Sequence, residues 1–246
     1  HNPHRKQRQE RKKEHNTQKR NGEIVESGNG SVRFTLLSPD GEEGYPGSLM
    51  VSVTYSVTDD CGLCIEYEAR SDKDTVLNLT NHCYFNPNGL GETFPEHRDD
   101  QPDNSDVALM IRADRVLECN EGGIPTGMML PVDGTPFDFR DARRLKVDIQ
   151  EFPGEPFSGY DHTFVLKPHD PFQPVAVAEG LKSGVRIEFL TDQPGAQLFS
   201  LGNPGSVFAL EMQHYPDSPN HPAFPTTMLR AGEVFRSKTI YRFSNR

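Results

Sequence analysis

The sequence has 246 residues, 34% of them apolar, with 21 glycines, 20 prolines and a formal net charge of −10. This composition excludes helical bundles, coiled coils and membrane-spanning chains, because turn-forming residues are too frequent and no apolar run approaches the ~18 residues of a membrane span. The lack of an apolar leader and the presence of only four cysteines predict a soluble, cytoplasmic protein.

The first 21 residues differ in composition from the rest of the chain. Residues 1–20 carry eight Lys or Arg and two Glu, a net charge of +6, which leaves −16 for the remainder. They contain no Leu, Ile, Val, Phe or Met, so they cannot bury enough surface to fold alone. We expect a disordered basic tail over residues 1–21, with a nuclear-targeting or RNA-binding arm as the alternative. The acidic remainder would repel phosphate backbones, so a nucleic-acid partner is not expected.

Hydrophobic periodicity along the chain predicts strands. Leu49–Val57 alternates between apolar and polar residues over nine positions, as a half-buried antiparallel strand does. Shorter runs of this kind are Ser31–Leu37, Leu63–Arg70, Asp74–Leu79, Val107–Ala113, Val175–Glu179, Val185–Thr191, Ala196–Leu201 and Val207–Gln213. The best helical candidate is the short segment Asp141–Phe152. The pattern predicts an all-β protein with two large antiparallel sheets packed face to face, forming one domain over residues 22–246.

Two local motifs have weak functional value. Cys61 and Cys64 form a CxxC, but no second pair follows, so only half of a zinc ligand set is present and thiols are expected instead. Asn78-Leu79-Thr80 matches the acceptor sequence for N-glycosylation, which means little in a protein without an export signal. The polar stretch Asn86–Asp106 is typical of a surface excursion inside a domain.

Three clusters mix ionisable and aromatic residues, at 80–86, 159–164 and 209–217. The first holds His82, the second holds Asp161, and the third places Glu211 inside an apolar run. A carboxylate in apolar surroundings is costly to ionise, so its pKa tends to rise into the range that suits a general acid or base. These three residues are therefore candidates for a polar site.

Each candidate also has a purely structural interpretation. Glu211 alternates with Leu210 and Met212, which also fits an outward-facing residue of a half-exposed strand. His82 could be a hydrogen-bonded structural histidine, and Asp161 could cap a turn. The residues alone leave these alternatives open.

Five ordered segments carry a resemblance to a known family. They are SPDGEEGYPG (38–47), LTNHCYFN (79–86), TPFDFR (135–140), GYDH (159–162) and LEMQHYPDSPN (210–220). Their residues, order and spacing resemble the aldose 1-epimerase (galactose mutarotase) family, and the similarity runs from about Val32 to Phe243.

The resemblance implies a large antiparallel β-sandwich, the galactose mutarotase-like supersandwich, that interconverts the α and β anomers of free aldohexoses such as galactose and glucose. In the family pattern His82 is the general acid and Glu211 the general base. Asp161 and Gln197 bind sugar hydroxyls. The resemblance implies no cofactor and no metal, and the expected partner is a small-molecule aldohexose, with no nucleic acid or membrane. The oligomeric state stays open.

The chain departs from the family pattern in two places. The family has a further N-terminal portion with an Arg and a second His that line the sugar pocket, and residues 1–21 do not resemble it. The connection from Asn203 to Phe208 is also shorter. We therefore expect an N-terminally truncated, incomplete domain over residues 22–246. The two hypotheses for function are an aldose 1-epimerase and a catalytically impaired or inactive, truncated sugar-binding relative.

Overall fold

The computed structural model describes residues 22–89, 106–145, 159–200 and 207–246. These residues form seventeen strands and two single-turn 3-10 helices, at Glu42–Gly44 and Ser218–Asn220. The strands are β1 (Glu23–Gly28), β2 (Ser31–Ser38), β3 (Leu49–Val57), β4 (Gly62–Ser71), β5 (Thr75–Val76), β6 (Tyr84–Phe85), β7 (Val107–Ile111), β8 (Ala113–Cys119), β9 (Pro125–Pro131), β10 (Arg143–Arg144), β11 (Asp161–Leu166), β12 (Ala176–Gly180), β13 (Val185–Thr191), β14 (Gly195–Ser200), β15 (Phe208–Gln213), β16 (Met228–Leu229) and β17 (Phe235–Asn245). The all-β class is confirmed.

The described residues divide into two compact units. Unit 1 contains residues 22–56, 65–77 and 228–236, and so holds β1, β2, most of β3 and β4, and the short β5–β16 pair. Its strands follow one another in the order β1-β2-β3-β4. The β2–β3 pair is antiparallel, as predicted for β3, and its register runs from Ser31 opposite Ser56 to Ser38 opposite Leu49.

Unit 2 contains the described residues of 57–64, 78–227 and 237–246 and has two antiparallel sheets. One sheet has the order β17-β13-β12-β7-β10, and the other, six-stranded, has the order β6-β15-β14-β11-β8-β9. Aromatic side chains pack between them. The Phe85 ring of β6 lies 5.3 Å from that of Phe189 in β13 and 5.0 Å from that of Tyr241 in β17. The core of unit 2 is therefore the interior of a β-sandwich.

The direction of the β15 side chains follows from this packing. Phe208 contacts Phe85 in the sandwich interior, with the two rings 5.9 Å apart. Because successive side chains of a strand point to opposite faces, Leu210 and Met212 point inward with Phe208. Glu211 therefore points to the other face of the six-stranded sheet, which we call the outer face.

Some sequence predictions fail or fall elsewhere. The helix expected over Asp141–Phe152 is wrong in its described part, because Arg143–Arg144 form β10 and pair with β7. Residues 146–152 lie outside the described residues, as do the basic tail and much of the Asn86–Asp106 stretch. Strands β1, β8, β9, β11 and β17 were not predicted, because charged residues, glycine or proline interrupt their alternation, and the two-residue strands β6, β10 and β16 are too short to show one. No helix of the described residues is both long and apolar enough to cross a membrane.

Candidate active site

The structure brings His82 and Glu211 into direct contact on the outer face. Glu211 lies in β15, and His82 lies two residues before β6, which pairs with β15. Nε2 of His82 is 3.3 Å from Oε1 of Glu211, and the two side chains are 34% and 12% exposed. A histidine and a carboxylate therefore face each other at the edge of the sheet, with the imidazole open to solvent and the carboxylate shielded.

Neighbouring aromatic rings hold the imidazole of His82. Its ring centroid lies 4.8 Å from that of Tyr84 and 5.9 Å from that of Phe199. The two aromatic rings lie 6.3 Å apart and meet edge to face. Behind His82, the side-chain oxygen of Asn81 accepts a hydrogen bond of 3.1 Å from the backbone N–H of Cys83. The chain turn that carries His82 is thus fixed on both sides.

Burial determines the electrostatics of Glu211. Glu211 lies on the outer face, but all six residues of β15 are buried, so the strand is not half-exposed as the structural alternative for Glu211 requires. Desolvation by burial, with a smaller contribution from the negative charge of Asp161, raises the pKa of Glu211 to about 7. Glu211 can therefore take up and release a proton near neutral pH.

Three strands bring Asp161 and Gln197 onto the same face. In the antiparallel ladders Thr163 of β11 lies opposite Gln197 of β14, and Gln197 lies opposite Glu211 of β15. Residues that are directly opposite each other in a sheet share a face, and so do residues two apart in one strand. Asp161, two residues before Thr163, therefore lies on the face that carries Glu211.

Hydrogen bonds set the orientation of the Gln197 amide. Its Nε2 donates to Oδ1 of Asp161 at 2.7 Å, and its Oε1 accepts a bond from the Thr163 hydroxyl. Asp161 is exposed and Gln197 is half-buried, so both reach the surface of the sheet. All four site residues predicted from the sequence thus lie on one outer face.

The sequence analysis did not predict that three further residues belong to this face. They are Thr163, Tyr84 and Phe199. Strand alternation carries a signal for Phe199, because it lies two residues after Gln197 in the run predicted as a strand. Thr163 has no such local signal, since β11 was not predicted and only the ladder places its hydroxyl beside Gln197.

The described residues contain no group of three His, Cys, Asp or Glu side chains that could hold a metal ion. Cys61 is exposed and Cys64 is buried, so the CxxC does not present two thiols to a common ligand at the surface. The four cysteines all lie in described segments and are thiols rather than disulfides.

Comparison with known proteins gives a consistent result. The family model described as aldose 1-epimerase matches residues 15–242. A galactose mutarotase of Rattus norvegicus is 39% identical over 227 residues, covering 87% of this chain and 63% of the relative. An aldose 1-epimerase of Escherichia coli strain K12 is 36% identical over 242 residues, covering 92% of this chain and 67% of the relative.

Solved structures show the same relationship. The crystal structure of an aldose epimerase homologue from C. elegans superimposes with a TM-score of 0.79 at 27% identity, covering 92% of this chain and 69% of that one. The galactose 1-epimerase of Lactobacillus acidophilus superimposes with a TM-score of 0.70, also at 27% identity, covering 89% of this chain and 65% of that one.

The present chain spans 63% of the length of the rat galactose mutarotase that it matches. The matched region nevertheless includes the His82–Glu211 pair and the Asp161–Gln197 pair, since all four residues lie within 15–242. The chain belongs to the aldose 1-epimerase family.

Proposed function

We propose that this chain is an aldose 1-epimerase that interconverts the α and β anomers of free aldohexoses such as galactose and glucose. The observation that carries the proposal is the His82–Glu211 pair, with a proton donor and a proton acceptor 3.3 Å apart on one sheet face. The relatives that match the chain over most of its length are named galactose mutarotase and aldose 1-epimerase. Family and geometry thus support the same reaction.

The reaction needs a base and an acid at the same time. The carboxylate of Glu211 removes the proton of the C1 hydroxyl while the imidazolium of His82 protonates the ring oxygen. The bond between C1 and the ring oxygen breaks, which leaves an aldehyde at C1 and a hydroxyl at C5. Rotation about the C1–C2 bond presents the other face of the aldehyde. Closure with the roles reversed returns both protons and gives the other anomer, and each such transfer contributes about 10²- to 10⁴-fold to the rate.

The electrostatics of the pair suit this exchange. A carboxyl group whose pKa is about 7 holds and releases its proton at neutral pH with little cost in either direction. An ordinary exposed glutamate, with a pKa of about 4.3, would be a weaker base. Burial of Glu211 in β15 is therefore the structural source of its proposed basicity.

Asp161 and Gln197 are proposed to hold the sugar. A carboxylate accepts hydrogen bonds from hydroxyl groups, and the amide of Gln197 is already oriented by Thr163 and Asp161. The rings of Phe199 and Tyr84 lie beside His82 and offer an apolar surface to the C–H face of a pyranose. The sugar would then lie with C1 and its ring oxygen toward the acid–base pair.

Polarimetry tests the proposal. We expect the purified chain to speed the change in optical rotation of freshly dissolved α-D-galactose and α-D-glucose above the spontaneous rate. Glu211→Gln should abolish that acceleration, because an amide cannot accept the C1 proton. Glu233→Gln is the matched control, since Glu233 is exposed and lies in unit 1, and it should keep the full rate.

An unchanged rate would contradict the proposal. A folded wild-type chain that leaves the spontaneous rate unchanged would exclude an epimerase. If that chain still binds galactose in a titration, it is a sugar-binding protein instead.

We also propose that the reaction takes place in a reducing compartment such as the cytoplasm, since the four cysteines are thiols.

A further inference from the structure

Side chains, rather than a backbone ladder, join the segment before His82 to β15. The hydroxyl of Thr80 donates a hydrogen bond of 3.1 Å to the backbone carbonyl of Met212. The amide of Asn78 bonds twice to the backbone of His214: its Nδ2 donates to the carbonyl at 3.0 Å, and its Oδ1 accepts from the N–H at 3.0 Å. We call these three bonds the brace.

The brace connects the two reacting groups over a short length of chain. Thr80 lies two residues before His82, and Met212 lies directly after Glu211. The brace thus ties the segment that carries the imidazole to the strand that carries the carboxylate.

Backbone strand pairing does not join the segment before His82 to β15. The pairing of β6 with β15 comprises Phe85 opposite Phe208 and Tyr84 opposite Ala209, and residues 77–83 are not in a strand. Continued by two residues, that register would set His82 opposite Glu211. The bonds of Thr80 and Asn78 follow a register shifted by one residue, so the register changes between Thr80 and Tyr84, in the segment that carries His82. The position of His82 therefore depends on contacts on both sides of it.

The chemistry of the two brace residues suits a fixed distance. Threonine is β-branched and has few χ1 rotamers, so its hydroxyl direction is well defined. An asparagine amide that bonds both the N–H and the C=O of one residue imitates a neighbouring strand. The two side chains are those of the Asn78-Leu79-Thr80 sequence noted above, and both are used inside the fold.

We propose that Asn78 and Thr80 are positioning residues that set the distance between His82 and Glu211. Neither residue takes part in proton transfer. The distance is a property of the fold, whereas its effect on catalysis rests on the proposed function. Loss of the brace lets the imidazole move away from the carboxylate, so acid and base no longer act on one sugar together.

Crystal structures and kinetics of full-chain variants test the proposal. We expect Thr80→Val and the double variant Asn78→Ala/Thr80→Val to lengthen the His82–Glu211 contact beyond hydrogen-bonding distance. The value of kcat should fall about tenfold, while KM changes less than about twofold because Asp161 and Gln197 stay in place. Thr80→Ser keeps the hydroxyl and should restore both the contact and kcat.

Ser183→Ala is the matched control. The Ser183 hydroxyl also donates to a distant backbone carbonyl, that of Pro87, at 2.8 Å. Its removal should lower the Tm by a similar amount without lengthening the His82–Glu211 contact or lowering kcat. If Thr80→Val does not fold, Asn78→Asp serves instead, since Asn78 is exposed and the change keeps the bond accepted from the His214 N–H while it replaces the donated bond by repulsion between two oxygens. It should lengthen the contact.

The outcomes separate the two proposals. A wild-type chain without catalysis would overturn the proposed function, and the contact distance in the variants would still decide the role of the brace. A folded double variant that keeps the 3.3 Å contact and the wild-type kcat would overturn the positioning role. A Thr80→Ser variant as impaired as Thr80→Val would also overturn it, because then the hydroxyl is not the group that matters.

Discussion

At the scale of single residues, burial and charge conflict at Glu211. The residue is 9% exposed, and burial and the nearby Asp161 together raise its pKa to about 7. A glutamate in water loses its proton near pH 4.3. Glu211 therefore changes charge close to neutral pH. This raised pKa affects both the proposed reaction and the stability of the fold.

The proposed reaction should lose its rate as the pH falls through about 7. Below that pH Glu211 is protonated and cannot accept the C1 proton. Polarimetry from pH 4 to 8, with the spontaneous rate subtracted, checks this expectation. The thermal unfolding curve over that range controls for loss of fold. A rate that stays constant down to about pH 4.5, where an ordinary glutamate titrates, would contradict the assignment.

Glu211→Gln should stabilise the fold at high pH. Because the folded-state pKa is raised, the Glu211 contribution to stability is full below about pH 4.5 and is lost as the pH rises through about 7. A glutamine is neutral throughout. At pH 8 the variant should exceed the wild type by up to about 3 kcal/mol in the free energy of unfolding, reduced by loss of the His82 contact.

Urea unfolding at pH 4 and pH 8 measures this difference. The two proteins should differ little at pH 4 and more at pH 8, while Glu233→Gln, at an exposed position, should show no such change. If the free energies of unfolding of Glu211→Gln and of the wild type differ by the same amount at both pH values, burial of the charge is not the cause of the difference.

At the scale of elements, the ladder through β11, β14 and β15 aligns the proposed sugar contacts. Gln197 is the central member, since it lies opposite Thr163 on one side and Glu211 on the other. Its amide also bonds Asp161 in the adjacent row at 2.7 Å. A single side chain in the middle strand thus links the carboxylate proposed to bind the sugar to the strand of the proposed base.

Gln197→Leu should weaken sugar binding and leave the chemistry largely intact. The leucine keeps the volume but removes the donor to Asp161 and the acceptor for Thr163. We expect KM to rise about tenfold, since leucine cannot bond a sugar hydroxyl and Asp161 loses the donor that orients it, and one hydrogen bond is typically worth about 1.5 kcal/mol or less. The value of kcat should change less. Initial polarimetric rates at several galactose concentrations measure both. A fall in kcat with unchanged KM would assign Gln197 to the chemical step.

At the scale of the whole molecule, sugar binding and folding are linked. The site residues all belong to unit 2, whose two sheets pack through Phe85, Phe189 and Tyr241. A ligand that binds only the folded chain raises its stability by mass action. This holds whether or not the bound sugar reacts, so stability reports binding independently of turnover.

Galactose should therefore raise the Tm of the wild-type chain. At a hundredfold excess over Kd the gain is about 2.7 kcal/mol, which corresponds to several degrees for a chain of this size. The open-chain polyol sorbitol should give a much smaller shift, and so should galactose with Gln197→Leu. Differential scanning calorimetry measures all three. Equal shifts with galactose and sorbitol would mean that the pyranose is not recognised by this site.

Local pattern was sufficient for several elements. The predicted bounds of Leu49–Val57 and Val185–Thr191 agree with β3 and β13, because alternation is written into neighbouring residues. The helix predicted over Asp141–Phe152 was wrong in its described part, residues 141–145, because pairing with β7 outweighs weak local preference. Five ordered motifs were enough to identify the family and to name His82, Glu211 and Asp161, and the resemblance outside those motifs named Gln197.

The all-β class, the family and the residue types of the candidate site follow from the amino-acid sequence alone. Which side chains meet depends on how distant strands pack. The 3.3 Å His82–Glu211 contact joins residues 129 positions apart, and the hydroxyl of Thr80 reaches a carbonyl 132 positions away. The raised pKa of Glu211 likewise depends on burial of both faces of β15. Alternation encodes which face of a strand a residue takes, whereas register and burial arise only when distant strands pack together.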